Sequence, residues 1–82
     1  MGNFETLMRR ADTLRHLESD PQKSEWWVGY MRGLRRGHHG EMFGTEAEHN
    51  LWTAAADSDD ELRSARGRGY RAGLTLEPRD PE

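Results

Sequence analysis

Apolar side chains recur every three to four residues along most of this chain, which is the spacing of amphipathic helices. In the first segment they fall at positions 4, 7, 8, 11, 14 and 17. In the second segment they fall at positions 27, 30, 31 and 34. The pattern predicts helices near residues 3–18, 22–36, 45–57 and 58–75. No segment combines apolar–polar alternation with turn residues as a β-strand does, so we predict an all-α fold of four helices.

Residues that begin or stop helices lie at the ends of these segments. Pro21 disfavours a helical residue before it and suits the first turn of the second helix. Thr45 and Glu48 have the spacing of a capping box, and Ser58 to Glu61 repeats that pattern. Gly37 and the two histidines after it indicate the end of the second helix. Because the connections are short, we expect two helical hairpins.

A short motif, GYxxGL, occurs at residues 29–34 and again at residues 69–74, an offset of forty residues. Glycine costs about 1 kcal/mol relative to alanine in a helix interior, so glycines at an i, i+4 spacing indicate a close approach of two backbones. We predict that the second and fourth helices cross there, with Tyr30 and Tyr70 flanking the contact. The repeat also indicates an approximate two-fold axis between the hairpins.

Composition limits the class of protein. The chain has 82 residues, no cysteine and a net charge of −3, with apolar and charged residues each at 33%. Such a chain forms one small domain, which we assign to residues 1–76, with a mobile tail at residues 77–82. The lack of cysteine excludes disulfides and fits a reducing cytoplasm. No apolar run approaches the roughly 18 residues of a spanning helix, so we expect a cytoplasmic protein without a membrane partner.

Histidine and glutamate side chains near the middle of the chain are possible metal ligands. The histidines are His38, His39 and His49, and the glutamates are Glu41, Glu46 and Glu48. Adjacent histidines project about 100° apart on a helix, and no HxxxH or HExxH pair places two ligands on one helical face. A metal-binding protein therefore stays a weak alternative, and we expect no cofactor. We also expect no enzyme, because no motif positions a nucleophile or an acid–base pair.

Charge is unevenly distributed along the second half of the chain. Residues 45–62 carry six acidic residues and no lysine or arginine, whereas residues 63–76 carry four arginines and no acid. An arginine-rich face on the second and fourth helices would suit nucleic acid, which gives an alternative function. The net negative charge counts against it. The arginines are otherwise expected to pair with the acidic third helix, in surface ion pairs worth under about 1 kcal/mol each.

Two surfaces are candidates for binding a protein partner. Trp26 and Trp27 are adjacent and point in different directions, so we expect one to be exposed, although both are compatible with a core. An exposed Trp26 beside Arg32 and Arg36 would have the residue types of an interface hot spot.

The second candidate is the acidic segment, where Asp57, Asp59 and Asp60 would compete for a partner's basic surface. The leading hypothesis is a small, cofactor-free protein-binding module that acts by occupying a partner's surface. Small acidic domains without cysteine are common among phage and mobile-element inhibitors, including anti-CRISPR proteins. A homodimer through the glycine ridge or an exposed tryptophan is a further hypothesis.

Overall fold

The computed structural model describes residues 3–81 and is built from four α-helices with short connections. The helices are α1 (Asn3–Leu17), α2 (Pro21–His39), α3 (Glu46–Ala54) and α4 (Glu61–Gly73), and 3₁₀ turns follow α2 at Gly40–Met42 and α3 at Ala55–Asp57. No strand occurs within residues 3–81, so the all-α prediction is confirmed. No helix in this range is long and apolar enough to cross a membrane. The ends of the predicted domain and tail, residues 1, 2 and 82, lie outside the described residues.

The ends of α2 and α4 differ from the prediction. The second helix continues through Gly37 to His39 and ends at Gly40, whose φ of 68° lies in the left-handed region that glycine adopts readily. The fourth helix begins at Glu61 because the carboxylate of Asp60 accepts the N–H bonds of its first turn. Ser58, the predicted start, instead accepts a bond from the Asp60 N–H.

The capping box at the start of α3 is confirmed. The Glu48 N–H donates to Thr45 Oγ1 at 3.0 Å, and the Thr45 N–H donates to Glu48 Oε1 at 2.9 Å. The two bonds satisfy amides that have no partner inside the helix.

The core lies on both sides of α2, which packs against α1 and α4. Its buried side chains are Leu7 and Ala11 from α1, Trp26, Trp27, Tyr30 and Leu34 from α2, and Ala65 and Ala72 from α4. Trp26 stacks on Tyr30 with ring centroids 5.0 Å apart and meets Trp27 edge to face, and each tryptophan is only 2% exposed. The expected exposure of Trp26 is therefore wrong, and the alternative that both tryptophans lie in the core is confirmed. The rings of Trp26, Trp27 and Tyr30 pack against one another, and the guanidinium of Arg10 also covers Trp27.

The glycines of GYxxGL bring α2 and α4 together backbone to backbone, as predicted. A Cβ on Gly29 would overlap the carbonyl oxygen of Arg66, and one on Gly33 would overlap that of Tyr70. A glycine further along α2 meets a residue further along α4, so the two helices run parallel. They are also reciprocal, since Gly69 meets the carbonyl of Trp26 in the same way. Exchanging the two helices at an offset of forty residues gives the same contact, as an internal two-fold axis requires.

The segment after α4 folds back over the helices. Leu76 has a φ of 57°, which reverses the chain, and its side chain packs against the core. The hydroxyl of Tyr30 donates to the Glu77 carbonyl, and Arg10 donates to the Arg79 carbonyl and the Asp80 carboxylate. The mobility predicted for this segment stays a prediction, which these contacts do not favour.

Candidate functional site

The third helix is held on the surface of the domain rather than in its core. None of its nine residues is buried. Ala47, Leu51 and Ala54 lie at i, i+4 and i+7 and are all exposed, with Leu51 at 70%. An apolar stripe at this spacing normally faces the interior of a domain. The outer face of α3 is therefore an unpartnered apolar surface, which we call the α3 stripe.

Polar bonds on the inner face of α3 fix its position against α4. Nδ1 of His49 lies 2.7 Å from the hydroxyl of Tyr70, and Trp52 packs against the same tyrosine with ring centroids 5.6 Å apart. Arg71 donates to the carbonyl of Thr53 at 3.0 Å. Because the inner face is fixed in this way, the outer stripe keeps a defined orientation toward solvent.

Burial raises the pKa of Tyr70 above its ordinary value, whereas the nearby positive charges of Arg36 and Arg32 act to lower it. The tyrosine hydroxyl is thus protonated at neutral pH and is available to bond His49. The pair is a structural contact between α3 and α4.

The guanidinium groups of two arginines lie over the indole of Trp52. The guanidinium of Arg32 lies 4.7 Å from the Trp52 ring centroid and 5.1 Å from that of Phe43, so one cation joins the α2–α3 corner to α3. The guanidinium of Arg66 lies 5.8 Å from the Trp52 ring and donates to Glu25 at 2.8 Å. Trp52 is only partly buried, unlike the other two tryptophans.

An open groove of about 470 Å³ lies between α3 and the first turns of α4. Its lining residues are Leu51, Trp52, Ala54, Ala55, Ser58, Arg63 and Arg66. We call it the α3–α4 groove. Its lining combines apolar side chains with the guanidinium groups of Arg63 and Arg66, and no carboxylate from residues 3–81 lines it. Tryptophan and arginine are the residue types most enriched at binding hot spots.

The arginines predicted to form a binding face are largely engaged within the chain. The side chain of Arg36 is 11% exposed and donates to the Phe43 carbonyl at 3.3 Å. Ion pairs with the acidic segment are Arg36–Glu46 at 3.5 Å, Arg32–Glu48 at 3.9 Å and Arg71–Asp57 at 3.3 Å. The predicted pairing of arginines with the acidic third helix is confirmed. The arginine face is thus partly neutralised by the chain itself.

The three aspartates predicted to contact a partner have different roles within the chain. Asp60 caps α4, and Asp57 pairs with Arg71 while keeping its side chain 81% exposed. Asp59 is exposed and makes no ion pair within residues 3–81. The structure leaves Asp57 and Asp59 accessible, but neither lines the α3–α4 groove.

The histidines do not come together as a ligand set. His38 stacks on the ring of Phe4 at 4.1 Å, and His39 meets the same ring edge to face, whereas His49 bonds Tyr70. Across residues 3–81, no group of three or more histidine, aspartate or glutamate side chains is placed to hold a metal ion.

Leu51 and Trp52 were missed as site residues, because their spacing is equally that of a core helix. Arg63 and Arg66 belong to the arginine-rich face that the sequence predicts on the second and fourth helices. The repeat gives no signal for this exposure, because the offset of forty residues aligns Ala47 and Leu51 with Leu7 and Ala11, which are buried. Comparisons with protein-family models, with curated proteins and with solved structures found no match to this chain.

Proposed function

We propose that this chain is a small, cofactor-free protein-binding module that acts by occupying a partner's surface. The observation that carries the proposal is the α3 stripe, where Leu51 stands 70% exposed beside the α3–α4 groove. Contiguous exposed apolar surface next to tryptophan and arginine is typical of protein interfaces. The module acts by binding and not by catalysis.

The repeat within the chain supports this use of the α3 stripe. At an offset of forty residues, the exposed Ala47 and Leu51 correspond to Leu7 and Ala11 of α1. Those two α1 residues are 6% and 0% exposed, because they pack against α2. The same apolar pattern is thus covered in the first half of the chain and uncovered in the second. A partner protein would supply the missing cover.

The acidic segment is the second candidate surface, because Asp57 and Asp59 are exposed. It would bind a basic, nucleic-acid-binding surface of the partner by charge. Its contribution is separable from that of the α3 stripe, since neither aspartate lines the α3–α4 groove.

The test is affinity capture from the native host with quantitative mass spectrometry. Leu51→Asp is expected to lose the specifically captured partner. The matched control is Leu17→Asp, because Leu17 is the same residue type with 76% exposure and lies on α1. This control should keep the partner. Equal capture by all three proteins would contradict the proposal.

A charge-reversal variant separates the two surfaces. Asp57→Lys with Asp59→Lys should leave capture intact if the α3 stripe binds the partner, and should abolish it if the acidic segment does. Asp60 stays unchanged in this variant because it caps α4. Circular dichroism of each variant confirms that a loss of capture is not a loss of fold.

The identity of the captured partner tests the finer parts of the proposal. An inhibitor of phage or mobile-element origin, of the anti-CRISPR kind, would capture a host defence nuclease, and the reducing cytoplasm is the compartment we propose for it. The nucleic-acid alternative predicts a mobility shift with DNA or RNA at low salt, where such binding is strongest. The ion pairs of Arg32, Arg36 and Arg71 with acidic residues favour protein over nucleic acid as the partner.

A further inference from the structure

The two halves of the chain each form a groove at equivalent positions. Asp20 caps α2 and Asp60 caps α4, so the offset of forty holds at the helix starts as well as at GYxxGL. The first groove, of about 330 Å³, lies beside the start of α2. Its lining includes Leu14, Glu18 and Lys23, and the α3–α4 groove has Ala54, Ser58 and Arg63 at the corresponding positions. We call the first of these the α1–α2 groove.

The chain's own C-terminal segment contributes to the α1–α2 groove. Asp80 and Pro81 line it together with Lys23 and Trp27. The carboxylate of Asp80 is paired with Arg10, and the Arg10 guanidinium lies over the Trp27 ring at 5.5 Å. Asp80 and Pro81, from the segment after α4, therefore form part of the wall of this groove, beside an indole that a guanidinium covers.

The α3–α4 groove offers similar chemistry without such a segment. Trp52 supplies the indole, and Arg66 lies beside it at 5.8 Å. Arg63 corresponds to Lys23, is exposed, and makes no ion pair within residues 3–81. Its positive charge is thus not paired by any carboxylate within residues 3–81 and is available to one from a partner. Charge complementarity therefore selects an acidic occupant over a basic one.

Resting on the proposed function above, we propose that the α3–α4 groove binds an extended acidic segment of the partner protein. The segment carries a carboxylate next to proline or an aliphatic residue. Its carboxylate would pair with Arg63, and its apolar residue would lie against Trp52 and Leu51, which line the same groove.

The probe is a synthetic peptide of residues 75–82, Thr-Leu-Glu-Pro-Arg-Asp-Pro-Glu, titrated into the isotope-labelled chain and followed by NMR. The control peptide carries Glu77→Lys, Asp80→Lys and Glu82→Lys. We expect the acidic peptide to shift the indole signal of Trp52 and the amides around Arg63, and the control peptide to leave them unmoved.

Variants in the two grooves locate the binding. Arg63→Glu should weaken the affinity for the acidic peptide about ten-fold or more, since it places like charges together. Lys23→Glu, the equivalent change in the α1–α2 groove, should leave the shifts at Trp52 unchanged. Both residues are exposed, so both variants are expected to fold.

Three results would overturn the inference: no shift at Trp52, equal binding of the lysine peptide, or shifts confined to the α1–α2 groove. A concentration-dependent dimer in sedimentation, lost in Arg63→Glu, would also overturn it by assigning the groove to a second copy. The proposed function has its own test, and it fails if Leu51→Asp and Leu17→Asp capture the partner equally. Loss of capture in Leu51→Asp without peptide binding would leave that function standing and refute only the acidic ligand.

Discussion

Gly33 of α2 lies directly against the backbone of Tyr70 in α4, so close that a methyl group on the glycine would overlap the tyrosine carbonyl oxygen. The same relationship joins Gly73 to Tyr30, with the two helices exchanged. The close approach buries both tyrosine side chains, at 0% exposure for Tyr30 and 2% for Tyr70. The other two helices pack on this pair, α1 against α2 and α3 against α4.

The first prediction concerns this contact. Gly33→Ala should destabilise the domain by roughly 3 kcal/mol or more, at or above the usual cost of overpacking, because the obstructing atoms belong to backbone. Helix propensity alone would change stability by about 1 kcal/mol in the opposite direction. Urea unfolding followed by circular dichroism measures the difference.

Val28→Ala is the control for Gly33→Ala, since it introduces the same residue on the exposed side of α2. Its effect should stay within roughly 0.5 kcal/mol, as for most surface changes. Equal stability of Gly33→Ala and Val28→Ala would show that the backbones of α2 and α4 are not in contact.

The second prediction concerns the guanidinium of Arg32 between the rings of Phe43 and Trp52. Arg32→Lys keeps the charge but loses the planar group that stacks on both rings, so it should cost about 1 kcal/mol. Arg35→Lys, on the same helix, is the control and should be neutral. Hydrogen exchange of α3 amides should accelerate in the first variant only, and unchanged exchange would contradict the role given to Arg32.

The third prediction is a loss of stability at alkaline pH. Burial raises the pKa of both Tyr30 and Tyr70 above the ordinary value of 10.0. The folded state therefore holds the phenolic protons more tightly than the unfolded state. The stabilisation is fully present below about pH 10 and is lost as the pH rises through the folded-state pKa values.

Tyrosinate absorbance tests this directly, because the chain has only two tyrosines. The folded protein should ionise at higher pH than the protein in denaturant, and the urea midpoint should fall above about pH 10. In Tyr30→Phe, the fall relative to its own neutral value should be smaller. Coincident titration of the folded and denatured protein would refute the prediction.

The sequence predicts the central helix pair because glycine is costly inside a helix and its repetition therefore has a structural cause. Thr45 and Glu48 are likewise predictable, since a capping box is a local arrangement. The end of α2 was misplaced at Gly37, because that glycine serves the helix contact and Gly40 supplies the left-handed turn. A local pattern does not distinguish these two uses of glycine.

The candidate site was harder to predict because it depends on how α3 is rotated about its own axis. The α3 stripe has the spacing of a core face, and it faces outward because contacts such as those of His49 and Trp52 with Tyr70 hold the opposite face of α3 against α4. The burial of Trp26 also depends on distant residues, since it belongs to the same buried cluster as Ala65 and Ala72 of α4. Tertiary contacts of this kind leave no periodic signal in the sequence.

The most direct test of the proposed binding surface is a hydrogen-exchange footprint of the chain bound to its captured partner. Protection is predicted on α3, especially around Leu51 and Trp52, and on the first turns of α4 near Arg63. Residues of α1 and the segment 77–81 should exchange as in the free chain. Protection confined to α1 or that segment, with α3 unchanged, would contradict the account.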